Sequence, residues 1–281
     1  MIIDKNKVKI AFQGMPGAYS NMASDECFPN GITLPCVSFE EMLDATKKGK
    51  ADYSMVPVEN SVAGRVADIH NLIPESGLFI VAEHFQKVNH QLLGVPDTNL
   101  EKIKKVKSHA QGIAQCRKLI KKLKLHPIQH IDTAGAAAEV SKNNDLSIAA
   151  IASKMAGKIY NLKVLLENVE DASHNTTRFL IMAKKKLIPS INLIQTVTTI
   201  IFEVRSVPAA LYKVLGGFAT NGINLTKLES YIGGEKMSAA RFYVDAEGHP
   251  ESDQMKNALD EMKFYTMPGS IKILGSYPRN K

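Results

Sequence analysis

The order of apolar and polar positions predicts alternating strands and helices over the N-terminal part of the chain. Ser38 and Glu41 form a capping box, which predicts a helix ending near Gly49. A further helix is predicted over residues 153–160. Short apolar and β-branched runs predict buried strands at residues 8–12, 53–58, 79–84, 91–95 and 145–150. Alternation of this kind is typical of an α/β fold with largely parallel sheets.

The pattern changes after residues 184–190, which run from three lysines to a proline and predict a linker. Beyond the linker, the pattern predicts strand, helix, strand, strand, helix and strand at residues 196–204, 208–221, 224–231, 237–245, 253–262 and 271–276. The two middle strands flank a turn at Gly233-Gly234. A βαββαβ order is typical of a ferredoxin-like unit.

Composition bounds the class of protein. A chain of 281 residues has room for about two domains, and 44% hydrophobic with 22% charged residues is ordinary for a globular protein. We find no apolar run long enough to span a membrane and no secretory signal pattern, and we therefore expect a cytoplasmic protein. The cysteines are odd in number and lack ligand spacing, which predicts neither disulfides nor a metal site.

The net charge of +7 raises the question of nucleic-acid binding. The lysines fall in short clusters around residues 102–107, 121–124 and 184–186, and no aromatic side chains interleave with them. We interpret these clusters as solvated faces and expect no nucleic-acid partner. A mild positive field would still help to collect an anionic metabolite.

The densest group of chemically useful side chains lies at residues 175–179. Arg178 offers a forked cation for a carboxylate, Thr177 a hydroxyl donor and Phe179 a flat apolar wall. This set suits a small organic acid with an unsaturated ring. The alternative interpretation is a strand end that carries one exposed arginine.

Two glycine-containing turns follow predicted strands. Residues 14–20 form either an anion-binding helix start or a simple tight turn. After residues 53–58, Asn60 and Ser61 stand at the carboxyl end of a strand, where open α/β sheets place ligands. Glu59 could act as an acid or base, although a structural carboxylate is the favoured interpretation.

Two further helix starts carry polar groups. Ser108 and Gln111 are explained as a capping box of a helix running to about Lys122, and Gln115 one turn on would face a cleft. His109 is either a proton shuttle or a structural histidine. A second polar helix start, at residues 132–133, is another candidate anion site.

In order along the chain, these segments resemble the prephenate dehydratase family. The family's patterns are G-x-x-G-A-Y-S at residues 14–20, V-P-x-E-N-S-x-x-G-x-V at 56–66, S-H-x-Q-x-x-x-Q-C at 108–116, a Thr-Ala helix start at 133–134 and N-x-T-R-F at 175–179. The resemblance implies a catalytic domain at residues 1–187, built of two α/β lobes arranged like a periplasmic binding protein. One lobe would comprise about 1–84 and 166–187, and the other about 85–165.

The resemblance also implies the reaction. Prephenate would lose hydroxide and carbon dioxide to give phenylpyruvate for phenylalanine biosynthesis, without a cofactor, because aromatisation drives the step. Thr177 would be the catalytic residue, as a hydrogen-bond donor to the leaving oxygen. Arg178 would clamp the pyruvyl carboxylate. The other implied substrate contacts are Ala18, Tyr19, Ser20, Asn60, Ser61, Ser108, Gln115, Thr133 and Phe179. Phe179 could instead pack into the core.

Residues 195–281 resemble the ACT regulatory domain, most clearly over residues 221–230. Two departures lie here: the family's Pro-Gly-Ala-Leu reads Pro-Ala-Ala-Leu at 208–211, and its Glu-Ser-Arg-Pro reads Glu-Ser-Tyr-Ile at 229–232. ACT units usually pair around an amino acid, which implies a homo-oligomer (dimer or tetramer) inhibited by phenylalanine. The implied effector contacts are Ala209, Ala210, Leu211, Asn224, Leu225, Thr226, Glu229 and Ser230.

Two alternatives remain open from the sequence. Arogenate dehydratase performs the same chemistry on a substrate with an ammonium in place of the keto group. A non-catalytic small-acid binding module would share the two-lobed fold, and a turnover assay separates it from an enzyme.

Overall fold

In a computed structural model of the chain, residues 7–192, 195–233 and 239–280 are described. They divide into two compact units. The larger unit comprises the described residues within 4–76 and 84–180, and the C-terminal unit those within 77–83 and 181–281. Among the described residues, no helix combines the length and the apolar character needed to cross a membrane.

Strands and helices alternate in the larger unit, as the sequence predicts. Its strands are β1 (Lys9–Gln13), β2 (Ile32–Cys36), β3 (Tyr53–Asn60), β4 (Gly64–Arg65), β5 (Phe79–Lys87), β6 (Gln91–Gly94), β7 (Lys105–His109), β8 (His126–His130), β9 (Ile148–Ala152), β10 (Lys163–Leu166) and β11 (Thr176–Ala183). Its helices are α1 (Tyr19–Cys27), α2 (Phe39–Lys47), α3 (Ala67–Leu72), α4 (Ala110–Gln115), α5 (Arg117–Lys122), α6 (Thr133–Asn143) and α7 (Lys154–Ile159). β5 and β11 contribute residues to both units.

The first sheet of the larger unit places β11, β3, β1 and β2 side by side, and β1 is parallel to both β2 and β3. Ile10, Ala11 and Phe12 of β1 are all fully buried, because helices cover both faces of a parallel sheet. Helix α2 begins as predicted: Ser38 Oγ accepts a hydrogen bond from Glu41 N at 3.2 Å.

The second sheet runs in the order β10-β6-β9-β7-β8. β7 is parallel to β8 and β9, whereas β6 is antiparallel to β9 and β10. The expectation of largely parallel sheets is therefore wrong for this sheet, which is mixed. Its core consists of buried apolar side chains on β6, β7, β9 and the flanking helices, among them Leu92, Val106 and Ile151. The α/β class itself is confirmed.

The prediction for residues 108–122 is wrong in two respects. Ser108 lies in β7, and its hydroxyl donates to Ile151 O of the neighbouring strand at 2.6 Å, so it does not cap a helix. The cap is His109, whose Nδ1 accepts from Gln111 N. The predicted single helix breaks at Cys116 (φ −124°, ψ 30°) into α4 and α5. Pairing within the sheet outweighs the local capping signature.

Several elements have no counterpart in the sequence analysis, namely β2, β7, β8, β10 and α3. β2 and β8 lie at the edges of their sheets, where half-exposed side chains and a proline in each strand leave no apolar run to detect.

The C-terminal unit follows the predicted βαββαβ order. Its elements are β12 (Thr196–Glu203), α8 (Ala210–Thr220), β13 (Leu225–Gly233), β14 (Ala239–Glu247), α9 (Asp253–Lys263) and β15 (Lys272–Pro278). The strands lie in the order β13-β14-β12-β15-β5, and the pairs β13/β14, β14/β12 and β12/β15 are antiparallel. The predicted Gly233-Gly234 turn and the predicted strand start at residue 237 fall partly outside the described residues. Both helices cover one face of the sheet, around buried side chains such as Phe202, Val214 and Met255.

Candidate active site

The ends of two neighbouring strands bring Asn60 and Thr177 together. Asn60 is the last residue of β3, and Thr177 is the second residue of β11. Asn60 Nδ2 donates to Thr177 Oγ1 at 3.0 Å and to Asn175 Oδ1 at 2.7 Å. The sequence predicts both Asn60 and Thr177 as site residues. Their contact across 117 residues of chain comes from the sheet order.

The amide of Asn60 is held in one orientation. Its Oδ1 accepts from the backbone N–H groups of Val62 and Ala63 at 3.0 and 2.8 Å. Because backbone nitrogens only donate, the acceptor atom of the Asn60 amide must face them. Both hydrogens of Nδ2 are then used by Asn175 and Thr177. Asn60 was predicted as a substrate contact, and in this structure its hydrogen-bonding groups point at the protein instead.

The bond from Asn60 determines which hydrogen bond the Thr177 hydroxyl can still make. A threonine hydroxyl has one proton and two lone pairs, and one lone pair here receives the hydrogen from Asn60. The proton therefore remains available to donate. Thr177 is only half-buried, so a ligand can reach its hydroxyl.

Arg178 and Glu59 form an ion pair beside this contact, with Nη1 of Arg178 2.9 Å from Oε1 of Glu59. Arg178 is 9% exposed. The favoured interpretation of Glu59 as a hydrogen-bonded structural carboxylate agrees with this geometry. Any substrate carboxylate that binds Arg178 would share the guanidinium with Glu59.

Phe179 was predicted as an apolar wall for a substrate ring. It is 1% exposed and belongs to the buried stretch of β11 that continues through Leu180, Ile181 and Met182. The structure gives it a place in the hydrophobic core, which favours the second interpretation that the sequence left open, and its contact with a substrate stays a prediction. Phe179 is buried because β11 is a central strand, and the side chains of such a strand are covered on both faces of the sheet.

Ser61 links the loop after β3 to the segment before β11. Its backbone N–H donates to Thr176 O, its hydroxyl donates to His174 O at 2.8 Å, and Thr176 N donates back to its Oγ at 3.0 Å. Ser61 is exposed, but its single proton is already used. If Ser61 contacts a substrate, as predicted, its hydroxyl can therefore only accept a hydrogen bond from it.

Three predicted contacts come from the second sheet and its helices. Gln115, at the end of α4, reaches across to the first sheet, with its Nε2 3.5 Å from Asn60 Oδ1. Thr133 is the first residue of α6, after the cap Asp132, and is half-buried. Ser108 is fully buried and its hydroxyl is bonded to the backbone. Of the three, Gln115 is therefore the residue that the structure brings to Asn60 and Thr177.

The predicted turn at residues 14–20 leads into α1 and contacts α7. Gly17 has φ +90°, and a Cβ there would lie 2.7 Å from the Cα of Ala156. Ser153 Oγ donates to Gly17 O at 2.6 Å. Ala18 and Ser20 are buried, and their contact with a substrate stays a prediction. Tyr19 is the member of this segment that enters the polar network.

Sequence reasoning missed His90, which is 2% exposed, and gave no separate role to Asn175 of the N-x-T-R-F motif, which is 1% exposed. Tyr19 OH lies 2.9 Å from Asn89 O and 3.0 Å from His90 Nδ1, and His90 Nε2 lies 2.9 Å from Gln115 Oε1. No periodicity marks these residues, because they lie in short connections that become buried only in the tertiary structure. The signal available was the number of polar residues at 84–91, where only Phe85 and Val88 are apolar, from the end of one predicted buried strand to the start of the next.

Burial shifts the titration of this network. It lowers the pKa of His90, against the opposing effects of the Gln115 hydrogen bond and the charge of Glu170. It raises the pKa of Tyr19 well above its usual value, with Glu170 adding to the effect. Both side chains are therefore neutral near neutral pH. Burial likewise lowers the pKa of His109, opposed by Asp132.

The predicted effector residues all lie in the C-terminal unit. Ala209 caps α8 with φ +60°, Ala210 is buried, and Leu211 packs against the core of the unit. Asn224, Thr226 and Ser230 are exposed at and along β13, whereas Leu225 and Glu229 between them are half-buried. β13 lies at the end of the strand order. One side of an edge strand thus presents polar groups to the surroundings.

Comparisons with known proteins identify the family of the chain. The family model of prephenate dehydratase matches residues 10–187. A bifunctional N-acyl-homoserine lactone acylase/prephenate dehydratase of Komagataeibacter europaeus is 46% identical over 269 residues, which is 96% of this chain and 95% of that protein. The chloroplastic arogenate dehydratase/prephenate dehydratase 1 of Arabidopsis thaliana is 38% identical over 98% of this chain and 73% of its own length.

Among solved structures, prephenate dehydratase from Arthrobacter aurescens in complex with L-Phe is similar, with a TM-score of 0.87 and 27% identity. The similarity covers 97% of this chain and 90% of that chain. The resemblance inferred from the five motifs is confirmed, whereas the assignment of an ACT domain stays a prediction. On these matches and on the motifs that meet around Thr177, the chain belongs to the prephenate dehydratase family, a family of lyases.

Proposed function

We propose that the chain converts prephenate to phenylpyruvate, with loss of water and carbon dioxide, in phenylalanine biosynthesis. The observation that carries this proposal is the contact between Asn60 Nδ2 and Thr177 Oγ1 at 3.0 Å, because it leaves the threonine proton free to donate. Residues 1–187 would form the catalytic domain and residues 195–281 an ACT regulatory domain.

The reaction needs help at one atom in particular. The bond between the ring carbon and the ring carboxylate breaks, its electron pair enters the ring, and the bond to the ring hydroxyl breaks as the ring becomes aromatic. The departing oxygen carries negative charge and takes up a proton to leave as water. A hydrogen bond from Thr177 to that oxygen stabilises charge that develops only in the transition state.

The two carboxylates of prephenate need opposite surroundings. Arg178 is the proposed partner of the pyruvyl carboxylate, which keeps its charge throughout. The ring carboxylate must lose its charge as carbon dioxide, so a strong salt bridge to it would stabilise the substrate and slow the step. Glu59 beside Arg178 limits the positive charge offered to the second carboxylate.

The decisive experiment compares prephenate and arogenate as substrates of the full-length protein. We expect turnover of both to be measurable and kcat/KM to be higher for prephenate. A higher value for arogenate would replace the proposal by arogenate dehydratase, an activity that the names of several relatives carry. Binding of both acids with no turnover of either would support the binding-module alternative.

The regulatory part of the proposal concerns phenylalanine and self-association. The effector would bind where the start of α8 in one copy meets β13 of another. Support comes from the edge position and exposed polar side chains of β13 and from the L-Phe complex of the Arthrobacter relative. The second copy would complete the site, so we propose a homo-oligomer, either a dimer or a tetramer.

A second candidate activity follows from one comparison. The Komagataeibacter relative, similar over 96% of this chain, is named as an N-acyl-homoserine lactone acylase as well as a prephenate dehydratase. Release of homoserine lactone from an acylated substrate, measured on the same preparation, tests that activity. The recorded hydrogen bond of Thr177 is to an amide rather than to a base that could activate it as a nucleophile, so the geometry favours the lyase.

A further inference from the structure

A chain of side-chain hydrogen bonds joins the second sheet to Thr177. Tyr19 OH lies 3.0 Å from His90 Nδ1, His90 Nε2 lies 2.9 Å from Gln115 Oε1, Gln115 Nε2 lies 3.5 Å from Asn60 Oδ1, and Asn60 Nδ2 lies 3.0 Å from Thr177 Oγ1. The members come from α1, the connection before β6, α4, β3 and β11. Thr177 is thus connected to residues of four other segments.

The direction of the bonds between Asn60, Gln115 and His90 follows from two backbone amides. Val62 N and Ala63 N require Oδ1 of Asn60 to face them. Gln115 must then present its nitrogen to that oxygen and its own oxygen to His90, so His90 Nε2 carries a hydrogen. In the neutral ring Nδ1 is then an acceptor, and the single proton of Tyr19 lies between two acceptors, His90 Nδ1 and Asn89 O. From Asn60 to His90, the network therefore has one consistent set of donors and acceptors.

The backbone around the network is fixed as well. Val169 N donates to His90 O at 2.9 Å, and Asp171 N donates to Gln115 O at 2.7 Å. His90 N donates to the carboxylate of Glu170 at 2.8 Å. One short segment, residues 169–171, thus holds both His90 and Gln115. Because the backbones of His90 and Gln115 are already fixed, little further conformational entropy is lost when their side chains bond to each other.

We propose that His90 is a positioning residue for Thr177, acting through Gln115 and Asn60. This inference rests on the proposed function, because it takes Thr177 as the catalytic hydroxyl. The Nε2 hydrogen of His90 sets the orientation of the Gln115 amide. That amide supports Asn60, which in turn keeps the Thr177 lone pair occupied and the Thr177 proton turned towards the substrate.

The test is a matched pair of substitutions at position 90. Glutamine places an N–H near the position of His Nε2 and can still donate to Gln115, whereas asparagine is too short to reach it. We expect His90→Asn to lower kcat by about 10-fold or more, as misplacement of a reacting group does, with KM changed far less. His90→Gln should retain most of kcat. His126→Asn, at an exposed histidine of β8, is the control and should match the wild type.

A double-mutant cycle with Thr177→Ala separates positioning from general structural damage. If His90 acts through Thr177, His90→Asn should cause no further loss of kcat in the Thr177→Ala background. Gln115→Met keeps the volume of the side chain and breaks its bonds to His90 and Asn60. It should behave in the same way, and it replaces His90→Asn in the cycle if that variant does not fold.

The outcomes distinguish this inference from the proposed function. Wild-type kcat in His90→Asn, equal losses in His90→Asn and His90→Gln, or additive losses in the cycle would each overturn the positioning role. Near-normal kcat in Thr177→Ala would instead refute the catalytic assignment of Thr177 itself.

Discussion

The hydroxyl of Thr177 is the residue-scale feature on which the proposed chemistry depends. We expect Thr177→Ala to lower kcat on the order of 10²-fold or more, because one transition-state hydrogen bond is lost. Thr177→Ser should keep part of the activity, since the hydroxyl survives. The adjacent Thr176→Ala, which leaves the contact between Asn60 and Thr177 in place, is the matched control. A normal kcat with only a raised KM in Thr177→Ala would contradict the assignment.

Arg178 pairs with Glu59 and is also the proposed partner of the pyruvyl carboxylate. If it holds the pyruvyl carboxylate, Arg178→Lys should weaken substrate binding by roughly 1–3 kcal/mol, because lysine cannot reproduce the forked contact. Glu59→Gln removes the competing carboxylate and should not raise KM. A lower melting temperature of Arg178→Lys with an unchanged KM would assign Arg178 to the Glu59 pair alone.

His90 links stability to pH. Burial lowers its pKa, so near the usual histidine pKa the unfolded chain binds a proton that the folded protein does not. Its stabilising effect is complete above that range and is lost as the pH falls through it. Between about pH 7.5 and about pH 5.5, the urea midpoint of the wild type should therefore fall more than that of His90→Gln. His109 contributes with the same sign to both proteins, so equal falls would count against a buried neutral His90.

At the scale of elements, the start of α8 carries local strain. Its cap, Ala209, is exposed, has φ +60° and makes no side-chain capping bond. A left-handed conformation costs an L-residue roughly 1–2 kcal/mol, so Ala209→Gly should raise the free energy of unfolding by up to about 1 kcal/mol. Ala219→Gly, at an exposed helical position near the end of α8, should lower it by up to about 1 kcal/mol. Chemical denaturation measures the free energy of unfolding of both variants. A lower value for Ala209→Gly than for the wild type would show that the strain is absent.

At the scale of the whole molecule, the proposal requires that phenylalanine binding alters catalysis. Linkage demands that an effector which lowers activity also has a different affinity for the active and inactive states. We expect phenylalanine to inhibit the full-length protein. Asn224→Ala should raise the phenylalanine concentration for half inhibition several-fold, a loss of about 1 kcal/mol for one hydrogen bond, without changing kcat.

Gln254→Ala, on the exposed surface of α9, is the control for that experiment and should leave inhibition unchanged. Point variants are preferable to a chain cut at the linker, because Gly275 of β15 pairs with Ile80 and Asn280 N donates to Glu83. Removing residues beyond the linker would leave residues 77–83 without these partners. Absence of phenylalanine binding by the full-length protein would refute the regulatory proposal and leave the dehydratase assignment intact.

The sequence by itself determined the fold class, the family and the order of elements in the C-terminal unit. Those features depend on local periodicity and on motifs that are short in sequence, such as the capping box at Ser38, and both can be read without contacts. Thr177, Asn60 and Gln115 were also predicted as site residues individually. The edge strands β2 and β8 were not found, because an edge strand lacks the continuous apolar run of a central one.

Only the tertiary structure decided how the site residues are connected. Pairing of β7 with β9 turned Ser108 from a helix cap into a buried strand residue, and burial of β11 placed Phe179 in the core. Glu59 and Arg178 meet across two strands, and His90 meets Gln115 across 25 residues of chain. Hydrogen bonds between distant segments depend on sheet order and orientation, which no local pattern encodes.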